Sequence, residues 1–98
     1  MTPKTKDTFL KLLRDPKAKQ VKHAIKDGDS HCVIGLLLDH LGCLIGENVD
    51  YYGKLAGMTR DNMESYIGIT KPEEVILVNM NNSGKTFAEI ADYIEATY

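Results

Sequence analysis

Cysteine is scarce in this sequence, and tryptophan is absent. The two cysteines, Cys32 and Cys43, lie eleven positions apart. That separation is roughly 16 Å along a continuous helix, whereas disulfide-bonded Cα atoms lie within about 7 Å of each other. We therefore predict that both remain thiols and that the chain works in a reducing compartment.

Long apolar runs are also missing. The longest one, residues 32–38, is far shorter than the ~20 residues of a membrane-spanning helix. Residues 1–7 are polar and of mixed charge, without the apolar core of a secretory signal. The sequence thus predicts a cytoplasmic protein with no membrane partner.

An excess of one charge is lacking as well, since the formal net charge is −2 and the isoelectric point is about 5.9. Without an overall basic surface, nucleic acid is not the expected partner. What the chain does have is a globular composition, 43% apolar and 27% charged. A chain of 98 residues has room for one core, so residues 1–98 are predicted to form a single domain.

Both end regions of the chain carry helix-start signals. Thr2-Pro3 provides a cap and a first-turn proline for a helix that ends before Asp15-Pro16. Thr86 and Glu89 have the spacing of a capping box, which predicts another helix.

A central helix is predicted over residues 30–41. This segment is apolar nearly all round, which is typical of a buried helix. Asp29 or Ser30 can cap its first turn, and Gly42 can end it. We expect the first and last helices to pack against it.

A small β-hairpin is predicted from segments near residues 20–28 and 44–53. The first segment alternates apolar and polar side chains and runs into the turn signal Asp27-Gly28-Asp29. The second is rich in glycine, which is typical of a loop or an irregular hairpin.

Two further helices are predicted before the last one. The first begins at a Thr59 cap and ends at Gly68. Residues 72–80 leave two alternatives: a helix, which we favour because Pro72-Glu73-Glu74 is a helix start, and a buried strand, which the β-branched residues allow. The predicted fold class is therefore α+β, a mostly α-helical single domain with a small β-hairpin.

Residues 83–86, Ser-Gly-Lys-Thr, match the end of a phosphate-binding P-loop. Position 79 is Asn where that motif requires glycine, so we predict a glycine turn and a helix cap instead. Residues 84–91 also resemble the opening helix of a helix-turn-helix, but too few residues follow for a recognition helix.

Candidate catalytic and metal-binding side chains are clustered around the central helix, namely His31, Cys32, His40 and Cys43. They lack the usual ligand spacing of zinc sites, and no motif accompanies Cys32 as a nucleophile. We predict no catalytic residue, no cofactor and no metal, and hence a protein that is not an enzyme.

Contacts with a partner or ligand are expected from polar and aromatic side chains. Residues 17–26 form a local basic patch, which is either functional or a solvated face. Tyr51, Tyr52 and Tyr66 are either interface anchors, as exposed aromatic residues often are, or partly packed in the core. The predicted contact residues are Lys19, Gln20, Lys22, His31, Tyr51, Tyr52, Asn81 and Asn82.

Three segments of the chain form a recognisable combination, namely Leu13-Arg14 with Lys19-Gln20, then Asp29-x-x-Cys32-x-x-Gly35-x-Leu37-x-Asp39, and Asn81-Asn82-x-Gly84-x-Thr86-Phe87-x-Glu89-Ile90-Ala91-Asp92-x-Ile94-Glu95. Together they resemble a group of small, largely uncharacterised accessory proteins of tailed phages and prophages. The chain departs from that group at His31, where a second cysteine is usual, at Asn82, where Asp is common, and in its shorter middle without tryptophan. The resemblance implies action inside a bacterial host but carries no established activity.

The leading functional hypothesis is a non-enzymatic, phage-encoded binding protein that modulates or inhibits a host protein, in counter-defence or host takeover. Two alternatives stay open: a protein that sequesters a small anionic ligand such as a nucleotide signal, and a DNA-binding regulator. The oligomeric state is also open, a homodimer included.

Overall fold

The computed structural model describes residues 1–50 and 62–98, and over these residues the fold is α+β and mostly helical. The predicted fold class is thereby confirmed. The described elements in chain order are helix α1 (Pro3–Leu13), strands β1 (Lys19–Gln20), β2 (Lys26–Asp27) and β3 (Ser30–His31), helix α2 (Val33–His40), strand β4 (Asn48–Val49), and helices α3 (Met63–Ile67), α4 (Lys71–Asn82) and α5 (Phe87–Thr97).

Helices α1 and α5 begin where the sequence predicts. The Thr5 N–H donates to Thr2 Oγ1 at 3.2 Å, so the Thr2 side chain caps the first turn of α1. At the start of α5, the Glu89 N–H donates to Thr86 Oγ1 and the Thr86 N–H donates to Glu89 Oε1, both at 3.1 Å. The predicted capping box is therefore confirmed.

The packing of the helices differs in part from the prediction. Helix α1 packs against α2 as expected, but the other helix in extensive contact with α2 is α4, while α5 packs on α1. Arg14 of α1 reinforces the α1–α5 contact through ion pairs with Asp92 at 3.1 Å and Glu95 at 2.8 Å.

Helix α2 starts later than predicted. The capping residue is Cys32, whose Sγ accepts the Gly35 N–H at 3.3 Å, and not Asp29 or Ser30. Ser30 is unable to cap the helix because β3, to which it belongs, pairs with strands on both sides. Sheet pairing thus overrides a local helix signal.

Gly35 lies where α2 meets the segment before β2. The Cys32 N–H donates to the Ile25 carbonyl oxygen at 3.1 Å, which draws that segment onto the helix. A Cβ atom at Gly35 would overlap this carbonyl oxygen and lie 2.8 Å from the carbonyl carbon. Only glycine allows the two backbones to approach so closely.

The described strands form one small sheet in the order β1-β3-β2-β4, in which β1 and β3 are parallel and the other pairs antiparallel. Gly28, with φ of 59°, makes the turn between β2 and β3. Strands β2 and β4 pair as predicted for the segments near 20–28 and 44–53. Residues 21–25 are not a strand, since the backbone bends there and His23 has φ of 61°.

Helix α3 ends as predicted at Gly68, which has φ of 81°, while the predicted Thr59 cap lies outside the described residues. Helix α4 confirms the helical alternative for residues 72–80. Its start is a capping box in which the Thr70 N–H donates to Glu73 Oε1 at 2.7 Å and the Glu73 N–H donates to Thr70 Oγ1 at 3.3 Å. This local signal outweighs the β-branched residues that follow.

The core lies between the helices and against one face of α2, which contributes the largest share of buried side chains from a single short helix. Cys32 and Cys43 are both buried there, and neither forms a disulfide, as predicted. Burial raises the pKa of the Cys43 thiol. The fully buried side chains include Phe9, Ile34, Leu38, Leu77, Ile90 and Ile94.

Candidate functional site

Gln20 and Asn81, both predicted contact residues, meet in the interior. Gln20 Nε2 donates to Asn81 Oδ1 at 2.9 Å and to the Lys85 carbonyl oxygen at 2.7 Å. Gln20 Oε1 accepts the Phe87 N–H at 3.0 Å, which is the first amide of α5. The Gln20 amide thus ties β1 to the turn between α4 and α5.

Asn81 is completely buried and connects further elements. Its Oδ1 also accepts the Val33 N–H at 3.2 Å, at the start of α2, and its Nδ2 donates to the Val21 carbonyl oxygen at 2.8 Å. The neighbouring Asn82 accepts the His23 N–H at 3.0 Å, which holds the bent segment before β2. The Asn81 amide thus satisfies the buried Val33 N–H and the part-buried Val21 carbonyl, and therefore stabilises the fold.

The basic residues Lys19 and Lys22 are both exposed. Lys22 Nζ lies beside Gly84, in the turn that Gln20 also contacts. Several of the predicted contact residues therefore lie around this turn. The three side-chain amides among them, those of Gln20, Asn81 and Asn82, are already engaged in internal hydrogen bonds.

His31 is paired with an acidic residue of α2. Its Nε2 lies 2.7 Å from Asp39 Oδ2, and Lys26 Nζ lies 3.3 Å from the same oxygen. Partial burial raises the pKa of Asp39, but the hydrogen bonds from His31 and Lys26 outweigh it and hold the pKa below its ordinary value. Within residues 1–50 and 62–98, no three His, Cys, Asp or Glu side chains are placed to hold a metal ion.

The P-loop-like segment acts as a turn and cap. Gly84 has φ of 103°, and the Thr86 hydroxyl and the Gln20 amide already accept amides of the first turn of α5. Lys85 Nζ lies 3.9 Å from Glu89 in a weak, exposed ion pair. The remaining predicted contact residues, Tyr51 and Tyr52, lie outside the described residues.

A cleft of about 280 Å³ lies on another face, between α1, the end of α2 and α3. Tyr66 and Leu41 stand at this cleft with 58% and 44% of their surface exposed. The buried side chains of Leu37 and Ile67 contribute its apolar floor. Lys4 and the hydroxyls of Thr2, Thr5, Thr8 and Ser65 also line it.

The threonine hydroxyls of the cleft form internal hydrogen bonds, one of which attaches α3 to α1. Thr5 Oγ1 donates to the Ile67 carbonyl oxygen at 2.8 Å and accepts from Thr2 Oγ1 at 2.9 Å. Thr8 Oγ1 donates to the Lys4 carbonyl oxygen at 3.0 Å. The cleft walls are therefore fixed by internal bonds, and the surface that they leave open is mostly apolar.

Neither exposed apolar side chain of this cleft is among the predicted contact residues. The sequence leaves Tyr66 open between an interface anchor and a core side chain. Leu41 belongs to the apolar pattern of the central helix, although it lies just past the end of α2 and beside Gly42. Its position at the C-cap was the signal that it leaves the buried face.

A second exposed apolar surface lies on the outer face of α4. Pro72, Val75, Ile76 and Asn79 are exposed at helical spacing, so they form one stripe. This α4 stripe does not line the cleft. Its exposed side chains can therefore be truncated as a control for those of the cleft.

No family model, curated protein or solved structure matches the chain. Among the helices that the structure describes, none is long and apolar enough to span a bilayer. Function must therefore be inferred from the residues themselves.

Proposed function

We propose that this chain is a non-enzymatic, phage-encoded binding protein that inhibits or modulates a host protein in the bacterial cytoplasm. The supporting observation is the cleft, where Tyr66 and Leu41 are exposed beside an apolar floor. The phage setting comes from the resemblance of the sequence segments described above. Counter-defence or host takeover is the role that this setting favours.

The physical reason is the free-energy cost of exposing the apolar surface of Tyr66 and Leu41 to water. Tyrosine offers a large contact area with few rotatable bonds, which makes it a frequent energetic centre of interfaces. Burial of apolar surface contributes roughly 25 cal/mol per Å². A partner that covers Tyr66 and Leu41 therefore gains free energy without reorganising walls that are already hydrogen-bonded.

The partner segment that fits this cleft carries an apolar side chain next to an acidic one. The apolar side chain would rest on Leu37 and Ile67, between Tyr66 and Leu41. The acidic group would pair with Lys4, which lines the cleft. This chemistry describes a short surface segment of a protein.

Tyr66→Ala is expected to weaken capture of the host partner. Loss of a central tyrosine contact costs about 2 kcal/mol, or roughly thirtyfold in affinity. The measurement is affinity capture from bacterial lysate followed by titration calorimetry with the recovered protein. Unfolding in urea is expected to change little, because the side chain is mostly exposed.

Val75→Ala is the matched control, since it truncates an exposed apolar side chain on the α4 stripe. It should leave capture at the wild-type level. If Tyr66→Ala retains the partner as well as the wild type does, the cleft is not the binding surface. Loss of the partner only with Val75→Ala would move the binding surface to α4.

A further inference from the structure

An acidic pair joins α3 to α4 beside the cleft. Glu64 of α3 and Glu74 of α4 are mostly buried, with 16% and 12% of their side-chain surface exposed. Lys71 Nζ lies between them, 3.3 Å from Glu64 Oε1 and 3.4 Å from Glu74 Oε2. One cation is thus shared by two carboxyl groups.

One carboxylate oxygen of the pair lacks a hydrogen-bond donor. Glu64 Oε1 is buried, and among the described residues no donor reaches it in hydrogen-bond geometry, although Lys71 is close enough for an ion pair. A buried carboxylate oxygen without a donor is costly. A proton on Glu74 would supply that donor and also remove one of the two negative charges.

We propose that Glu64 and Glu74 share one proton near neutral pH and that its loss loosens the attachment of α3 to α4. The joint is thus a pH-sensitive element of the fold. This inference does not depend on the proposed binding function.

The pKa of the Glu74 carboxyl agrees with this arrangement. Burial first, and then a proton directed at Glu64, raise the pKa of Glu74 to about 7, while the same proton, donated by Glu74, holds the pKa of Glu64 low. Nearby, Glu73 is neutralised by the Met1 amino group at 2.7 Å. Burial raises the pKa of Tyr98, which is close to Glu73, to about 12, so that phenol stays neutral.

The direction of the effect follows from the raised pKa. Between pH 4.5, the ordinary pKa of a glutamate, and about pH 7, the folded protein keeps the Glu74 proton, whereas the unfolded chain has lost it. The contribution of this proton to stability is therefore fully present below pH 4.5 and is lost as the pH rises through about 7. At higher pH, both carboxylates are charged and share only Lys71.

The first test is a ¹³C NMR titration of the Glu74 side chain in the wild-type protein. We expect the carboxyl group to titrate near pH 7, and to return toward an ordinary glutamate value in Glu64→Gln. Titration of Glu74 at an ordinary value in the wild type would overturn the inference. The wild-type titration alone decides this and requires no variant to fold.

The second test compares wild type with Glu74→Gln, whose amide can donate permanently to Glu64. Between about pH 5 and about pH 8, we expect the folded-to-unfolded ratio of the wild type to fall about tenfold or more, relative to the variant. Hydrogen exchange of the Gly68 and Ile69 amides, which bond the Glu64 carbonyl, should lose protection over the same range after correction for intrinsic rates.

Glu47→Gln is the matched control, because Glu47 is exposed outside this cluster. It should keep the wild-type pH dependence in both measurements. Equal slopes for wild type and Glu74→Gln, or protection of Gly68 and Ile69 that does not change with pH, would contradict a proton-dependent joint.

Discussion

Gly35→Ala is expected to destabilise the protein by about 3 kcal/mol, although alanine usually favours a helix over glycine. The added Cβ would overlap the Ile25 carbonyl oxygen, so either α2 or the segment before β2 must move. Such a movement would break the hydrogen bond from the Cys32 N–H to that oxygen. Urea unfolding followed by circular dichroism measures the loss.

Ala88→Gly provides the comparison for this variant, since Ala88 is on the exposed side of α5. It reports the intrinsic helix preference alone and should cost about 1 kcal/mol. If Gly35→Ala is as stable as the wild type, or more stable, then the close approach between α2 and Ile25 is not present in solution.

Asn81→Ala is expected to produce a loss of similar size, about 3 kcal/mol, or roughly 15 °C in Tm for a domain of this length. The substitution leaves the Val33 N–H and the Val21 carbonyl without a partner. It also removes one of the two acceptors of the Gln20 amide, leaving the Lys85 carbonyl oxygen. Because the side chain is fully buried, water does not readily replace these contacts.

The control for that variant is Asn79→Ala, an identical change at an exposed position of the same helix. It should alter stability by no more than about 0.5 kcal/mol. Similar unfolding midpoints for the two variants would mean that the Asn81 amide is not a structural centre. That result would restore Asn81 as a free contact residue.

Capping signals allowed the helices to be predicted because they are local. Thr2 with Pro3 and Thr86 with Glu89 act within one turn, so a single sequence contains all the information needed. The same holds for α4, whose capping box at Thr70 decides a segment that β-branched residues leave ambiguous.

The sheet and the amide cluster were harder to predict, since they depend on distant residues. Strand β3 takes Ser30 away from the helix because β1 and β2 pair with it on either side. Gln20 and Asn81 are 61 positions apart, so nothing in the sequence shows that they bond to each other. From the sequence alone, both residues therefore look like polar contact residues of the surface. Only the fold shows that they bond to each other.

The cleft was predictable only in part. Tyr66 is an evident anchor candidate, but the concave shape depends on Thr5 of α1 bonding the Ile67 carbonyl, a contact across 62 positions. Leu41 is exposed because α2 ends one residue earlier than its apolar pattern suggests. Shape and exposure at this site are thus properties of tertiary structure.

The packing of α1 on α5 has a consequence for how fast the chain reaches its native state. Helical proteins usually fold quickly because most of their contacts join neighbours in sequence. Here the Arg14–Glu95 contact spans 81 positions, so a very large loop must close before this helix pair can form. The folding rate should accordingly be closer to that of a mixed α/β domain than to that of a simple helical bundle.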